Sequence, residues 1–144
     1  MQMQAQQRDV LPGAITLWID PVPRSGYRNM AADELLSRRA EAWLRIYTWD
    51  RPAVSFGYFD TATEAARIFP GAVEYIRRWT GGGIVDHRIG HTYTVTLPAQ
   101  DGVMYPAADQ LYIWIHGALA TALQQSGVQC TLLTEDAPDG GRAC

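Results

Sequence analysis

A segment in the middle of the chain combines two adjacent arginines, three successive glycines and a histidine. It reads RRWTGGGIVDH and runs from Arg77 to His87. The three glycines have no side chains, so the backbone there can adopt positive φ and bring its N–H groups close to a ligand. The guanidinium groups of Arg77 and Arg78 stay charged and suit a carboxylate or a phosphate. These residues indicate an anion-binding site, with a plain glycine-rich hairpin as the alternative interpretation.

The other residues with reactive side chains exclude some kinds of catalytic and metal site. All 12 basic residues are arginines and the sequence contains no lysine, so no step that requires a lysine can be performed by these residues alone. The two cysteines, Cys130 and Cys144, have no cysteine or histidine at metal-ligand spacing, which argues against a zinc site and a disulfide framework. No Asp or Glu pair stands out, and we assign no metal ligand.

Length and composition favour one soluble domain. The chain has 144 residues, of which 47% are hydrophobic and 19% charged, as in ordinary globular proteins. Its net charge of −3 argues against nucleic acid and anionic membranes as partners. The longest apolar stretch, from Leu111 to Leu123, is shorter than the about 20 residues that cross a bilayer, and the N-terminus does not resemble a secretory signal. We therefore expect a single domain over residues 1–144, located in the cytoplasm.

Residue patterns predict both helices and strands. Six strands are predicted, over residues 14–20, 44–48, 54–59, 73–77, 91–97 and 128–133. Three helices are predicted, over residues 30–43 with Asn29 as the N-cap, over residues 62–69, and from Pro106 to a stop at Gly127. The third has an apolar stripe of four residues, Leu111, Ile115, Leu119 and Leu123. This order predicts an α+β domain with a mixed, mostly antiparallel sheet and flanking helices.

Three segments together resemble the lipoate–protein ligase A and octanoyltransferase family. They are NMAADE from Asn29, LRIYTWDRPAVSFGYF from Leu44 to Phe59, and RRWTGGGIVDH followed by HTYTVTL. The central motif has the form RRxTGGGxVxH, and the resemblance covers about residues 14–144. It implies the catalytic fold of the biotin and lipoate ligases, here C-terminally incomplete.

The resemblance also implies where an acyl group binds. Binding of a lipoyl or octanoyl chain, or of its adenylate, is carried over to eight residues: Arg77, Arg78, Thr80, Gly81, Gly82, Gly83, Val85 and His87. The resemblance also implies an apolar acyl pocket lined by four residues: Trp49, Phe56, Gly57 and Tyr58. Ordinary core packing is the alternative interpretation for each of them. The family commonly has glutamine where this chain has Asp60, so no polar contact to the ligand is assigned to that position.

Two enzymatic mechanisms are implied by the resemblance. In a ligase, which is the main hypothesis, ATP and Mg²⁺ convert lipoate or octanoate to an acyl-adenylate. A lysine of a carrier then attacks it, the carrier being the lipoyl domain of a 2-oxoacid dehydrogenase complex or the glycine cleavage H protein. In the alternative, an octanoyltransferase takes the acyl group from acyl carrier protein through a cysteine nucleophile, and Cys144 is the candidate.

A missing lysine adds a third hypothesis. The family's essential lysine, in a segment of the form GxKxxGxAQ, would lie beyond Cys144. We therefore expect this chain to be an N-terminal fragment that is inactive by itself. A non-catalytic lipoyl-binding module without the lysine is the remaining alternative.

Overall fold

The computed structural model describes residues 12–99, which belong to one compact unit, and residues 105–132, which belong to another. The first unit contains eight elements, namely β1 (Thr16–Ile19), α1 (Gly26–Ser37), β2 (Trp43–Tyr47), β3 (Ala53–Phe56), α2 (Ala62–Ile68), β4 (Glu74–Arg77), β5 (Val85–Asp86) and β6 (Thr92–Thr96). The second unit contains α3 (Ala108–Gln125). The α+β class is confirmed. No helix in the described ranges is both long and apolar enough to cross a membrane.

The six strands form two small sheets. The first has the order β1-β2-β6, with β1 parallel and β6 antiparallel to β2. The second has the order β4-β3-β5, with β4 parallel and β5 antiparallel to β3. The predicted mixed sheet is confirmed as two mixed sheets. Strands β2 and β3 follow each other in the chain but lie in different sheets, so the intervening turn carries the chain from one sheet to the other.

Helix α1 begins and ends earlier than the sequence predicts, and Trp43, which the prediction places in the helix, begins β2. The N-cap of α1 is Ser25, and Asn29 lies buried inside the helix, so the assignment of Asn29 as the N-cap is wrong. The buried face of the helix includes Asn29 and Asp33, and this polar face conceals the hydrophobic period that would mark the first turn. The N–H of Gly26 donates to the carboxylate of Glu74 at 2.7 Å, which supplies the negative charge that a helix N-terminus favours.

A buried arginine joins α1 to the first sheet. Arg45 on β2 is fully buried, and its guanidinium donates at 2.8 Å to Asp33, to Asp20 and to the side-chain oxygen of Asn29. The same group lies 4.0 Å from the ring centroid of Tyr47, whose hydroxyl donates to Asp33 at 2.9 Å. Buried charges are tolerated because each of them has opposite charges and hydrogen bonds around it. We call these five residues the Arg45 network.

Helix α3 ends where the sequence predicts. Gly127 has φ +86°, and the N–H groups of Gly127 and Val128 donate to the carbonyls of Gln124 and Leu123, each at 3.0 Å. This is the Schellman arrangement, in which a left-handed glycine satisfies the last carbonyls of a helix. The apolar stripe of the helix is not buried, because Leu123 is exposed and the other three residues are only half-buried.

The strand predicted over residues 128–133 is wrong for its described part, residues 128–132, which form no strand. Their backbone groups bond to the preceding helix instead. The N–H of Val128 closes the helix end, and the carbonyl of Cys130 accepts from the side chain of Gln124 at 2.8 Å. Groups used in this way are not available to a sheet ladder.

We expect Arg45→Met to lower the free energy of unfolding by about 3–5 kcal/mol, because it leaves Asp20 and Asp33 buried without their shared cation. Arg38→Met is the matched control. Arg38 pairs with Glu34 on the exposed surface of α1, so its loss should cost less than about 1 kcal/mol. Urea denaturation followed by circular dichroism measures both values. Equal losses in the two variants would contradict the structural role of the Arg45 network.

Candidate functional site

The segment from Arg77 to His87 forms a loop whose two ends are hydrogen-bonded to strand β3. At the first end, the N–H of Arg78 donates to the carbonyl of Phe56 at 2.8 Å. At the second end, the N–H of His87 donates to the carbonyl of Ala53 at 2.9 Å. We call residues 78–84, between β4 and β5, the glycine loop; its three glycines are exposed.

The glycine loop passes so close to the end of β3 that a side chain does not fit there. A Cβ atom on Gly57 would lie 2.0 Å from the carbonyl oxygen of Gly82, where no real contact is possible. Gly82 itself has φ +93°, in the left-handed region that favours glycine. The N–H of Tyr58 donates to the carbonyl of Thr80 at 3.0 Å. The path of the loop is therefore set by backbone packing against residues 57–58.

Arg78 is the first residue of the glycine loop, and its guanidinium bonds to the backbone of the rest of the loop. Its Nη2 donates to the carbonyls of Gly83 at 2.7 Å and Gly81 at 3.3 Å. Its Nη1 donates at 2.7 Å to the hydroxyl of Ser55, which lies fully buried on β3. The guanidinium thus places a permanent positive charge beside the loop and fixes two of its carbonyls.

His87 is held on both ring nitrogens and on one face. Its Nε2 lies 2.7 Å from the hydroxyl of Ser55, and its Nδ1 lies 3.1 Å from the hydroxyl of Thr92. The indole N–H of Trp49 donates to the same Thr92 hydroxyl at 2.8 Å. The Trp49 ring stacks on the imidazole, with 4.2 Å between centroids and 19° between planes. We call Arg78, Ser55, His87, Thr92 and Trp49 the histidine cluster.

The surroundings keep His87 neutral. Burial and, to a smaller extent, the positive charge of Arg78 lower the pKa of His87 to about 4, while Asp86 opposes the change. The imidazole therefore holds one proton and one lone pair at neutral pH. In that form it donates one hydrogen bond and accepts another.

The remaining predicted site residues lie on strands β3, β4 and β5 or in the segments next to them. Arg77 donates to the carbonyl of Tyr58, and its guanidinium lies 5.1 Å from the ring centroid of Phe56. Phe56 packs in the small apolar core beneath β3 and α2, on the face of the strand opposite to Ser55. Val85 is half-buried on β5, directly in register with Ser55. The acyl-binding roles of these residues stay predictions, and Cys144 lies outside the described residues.

Sequence reasoning missed Ser55 and Thr92, although they complete the cluster. Single hydroxyl residues inside strands carry no motif. A usable signal exists for Ser55, because it is the one polar residue of β3, the strand Ala53–Phe56, and it is fully buried. A buried hydroxyl needs a partner, which points to the arginine and the histidine of the neighbouring segment.

The carboxylates near the glycine loop are already engaged. Asp86 pairs with Arg88 at 2.6 Å. Within residues 12–99 and 105–132, no three His, Cys, Asp or Glu side chains form a cluster that could hold a metal ion.

Comparison with known proteins gives consistent matches, although no family model matches the chain. It is 34% identical to the octanoyltransferase LipM of Carboxydothermus hydrogenoformans, over 78% of this chain and 45% of that protein. It is 31% identical to the octanoyltransferase LipM of Symbiobacterium thermophilum, over 79% of this chain and 44% of that protein. The chain thus spans less than half the length of these curated relatives.

The fold comparison agrees with the expected architecture. A bi-partite lipoate protein ligase from Thermoplasma acidophilum matches with a TM-score of 0.58 at 22% identity, over 85% of this chain and 49% of that chain. This match confirms the predicted lipoate ligase-like fold.

We expect Gly57→Ala to displace the glycine loop and to lower the free energy of unfolding by about 1–3 kcal/mol, because the new methyl group would overlap the carbonyl of Gly82. Gly81→Ala is the control, since a Cβ at that position meets nothing within 4 Å. Urea denaturation of the two variants tests the difference. A Gly57→Ala protein as stable as Gly81→Ala would refute the close approach.

We also expect the stability of the protein to fall as the pH is lowered from about 6.5 to about 4. In this range His87 of the unfolded chain takes up a proton with the ordinary pKa of 6.5, whereas His87 of the folded protein stays neutral until about pH 4. Urea unfolding at several pH values should show a shallower dependence for His87→Gln than for the native protein. The exposed His91 supplies the control variant, His91→Gln. Parallel curves for the native protein and His87→Gln would contradict the proposed burial of a neutral imidazole.

Proposed function

We propose that this chain, which belongs to the lipoate–protein ligase A and octanoyltransferase family, carries the acyl-binding part of an octanoyltransferase. The observation that supports this proposal best is the similarity to curated proteins that are octanoyltransferases. The relatives therefore favour the alternative of the sequence analysis over its main hypothesis, the ligase. A lipoate ligase is the second candidate, favoured by the fold match to the Thermoplasma acidophilum protein.

The geometry of the glycine loop supports acyl binding. Residues 81–83 are exposed, so their backbone N–H groups are accessible to a ligand. Transfer of an acyl group places negative charge on its carbonyl oxygen, and preorganised N–H groups stabilise that charge. The cation of Arg78 lies beside the same loop and adds to the stabilisation. The loop is thus a suitable place for the reacting carbonyl, with the octanoyl chain extending along it.

The proposed reaction has two steps and uses Cys144 as the nucleophile. In the first step, the thiolate of Cys144 attacks the octanoyl thioester on acyl carrier protein, and the carrier leaves as a thiol that takes up the proton lost by the cysteine. In the second step, a lysine amine of the lipoyl domain attacks the octanoyl-enzyme. An amide forms, the bond to the Cys144 sulfur breaks, and the amine proton passes to that sulfur.

This reaction consumes no ATP, because the octanoyl thioester is already an activated acyl donor. The carriers proposed as acceptors are the lipoyl domain of a 2-oxoacid dehydrogenase complex and the glycine cleavage H protein. In this proposal residues 1–144 form part of one catalytic domain.

We expect the complete protein that contains residues 1–144 to form an octanoyl-enzyme when it is mixed with octanoyl-loaded acyl carrier protein without ATP. Mass spectrometry of the intact chain should show the addition of one octanoyl group, which hydroxylamine removes. Cys144→Ala should abolish the adduct. Cys130→Ala should retain it, because Cys130 lies beside the end of α3, where its thiol contacts the carbonyl of Ala120.

The same assay separates the two enzymatic candidates. Octanoylation of a lipoyl domain that needs free octanoate and ATP, and that persists in Cys144→Ala, would replace the transferase with the ligase. Absence of any acylation under both conditions would overturn the proposed function for this chain.

A further inference from the structure

We infer that Ser55 is a positioning residue whose single hydroxyl group sets the tautomer of His87 and anchors the Arg78 side chain that holds the glycine loop. Its effect on acyl transfer rests on the proposed function, whereas its effect on His87 and on the loop does not. Ser55 lies outside the RRxTGGGxVxH motif, and its full burial prevents direct contact with a substrate.

The backbone of Ser55 is fixed from both sides. It lies on β3, the central strand of the second sheet, in register with Ile76 on β4 and with Val85 on β5. A residue paired on both sides in a sheet cannot shift without breaking two ladders. The sheet therefore fixes the backbone and the Cβ of Ser55, so the hydroxyl can move only by rotation about χ1.

The hydrogen bonds around this hydroxyl have one consistent direction. The Nη1 of Arg78 can only donate, so it uses a lone pair of the Ser55 oxygen. The buried O–H of Ser55 then needs an acceptor, and the Nε2 of His87 lies 2.7 Å away. Nε2 therefore keeps its lone pair, and the proton of the neutral imidazole lies on Nδ1. From there it is donated to the hydroxyl of Thr92.

The same hydroxyl connects the loop to the histidine. Arg78 donates to Ser55 through one nitrogen and to the carbonyls of Gly81 and Gly83 through the other. If His87 gains a proton on Nε2, the ring becomes a second cationic donor facing the Ser55 oxygen. The O–H of Ser55 would then lose its acceptor, and the new positive charge would face Arg78. The neutral histidine and the ordered loop thus stabilise each other.

Other charges around His87 do not replace this connection. Asp86, its neighbour on β5, opposes the lowering of the His87 pKa, and it is itself paired with Arg88. Trp49 stacks on the face of the His87 ring, and the Thr92 hydroxyl bonds to Nδ1, the nitrogen opposite to Nε2. Neither residue carries a charge. Ser55 is therefore the contact that links the histidine to Arg78 and hence to the loop.

Ser55→Ala tests the inference directly. Nitrogen-15 NMR of the histidine ring should show that the preference for a proton on Nδ1 is lost. The pKa of His87 should rise by about one unit, because the hydrogen bond that favours the neutral form is removed. Amide exchange of residues 81–83 should accelerate. In the acylation assay, the rate of octanoyl-enzyme formation should fall about tenfold and its acid limb should move to higher pH.

Thr96→Val is the matched control. The Thr96 hydroxyl is also buried on a strand, but no described residue forms a hydrogen bond with it, so its removal should leave the His87 tautomer and pKa unchanged. If Ser55→Ala does not fold, Ser55→Cys serves instead, because a thiol has a similar shape and forms only weak hydrogen bonds. It should move the same readings in the same direction.

A folded Ser55 variant with the native tautomer, pKa and loop exchange would overturn the inference. If the native protein forms no octanoyl-enzyme, the proposed function fails, and the NMR readings still decide the role of Ser55.

Discussion

The structure depends on a cation, Arg45, buried among groups that compensate its charge. Arg45 forms ion pairs with Asp20 at the end of β1 and with Asp33 on α1, and its guanidinium lies over the ring of Tyr47 on its own strand. Strand β6 joins through Thr94, whose hydroxyl donates to Asp33 at 2.8 Å. An apolar interface tolerates small displacements, but a buried ion pair does not, because a displaced charge loses its partner in a medium that solvates it poorly. The helix and three strands are therefore held in one arrangement.

That arrangement determines where the histidine cluster forms. Trp49 follows β2 directly, and Thr92 begins β6 opposite Tyr47 in the antiparallel ladder. The first sheet thus contributes the stacking ring and one hydroxyl. The second sheet contributes Ser55 from β3, and the segment that follows β4 contributes Arg78. His87 lies where the two sets meet, so its neutral state depends on the packing of both sheets.

The sequence predicted the elements with strong local signals and missed those that depend on distant partners. Helix α2 and strand β6 lie close to their predicted ranges, because Pro70 and Gly71 end the helix and an alternation rich in β-formers marks the strand. The start of α1 was misplaced, since its buried face is polar and its first N–H is satisfied by Glu74, which lies 48 residues further along the chain. Arg45 could not be recognised, because an arginine inside a strand ordinarily indicates an exposed position. In the candidate site, the motif indicated Arg78 and His87, whereas Ser55 and Thr92 became visible only through the contacts between sheets.

We propose that the glycine loop and the histidine cluster form the acyl site of this chain. The most direct test is a titration of the isotope-labelled protein with octanoyl-pantetheine, followed through the backbone amides of residues 81–83 and the ring of His87. We expect saturable shifts at these positions that pantetheine alone does not produce. Shifts confined to other parts of the chain, or equal shifts with pantetheine, would contradict it.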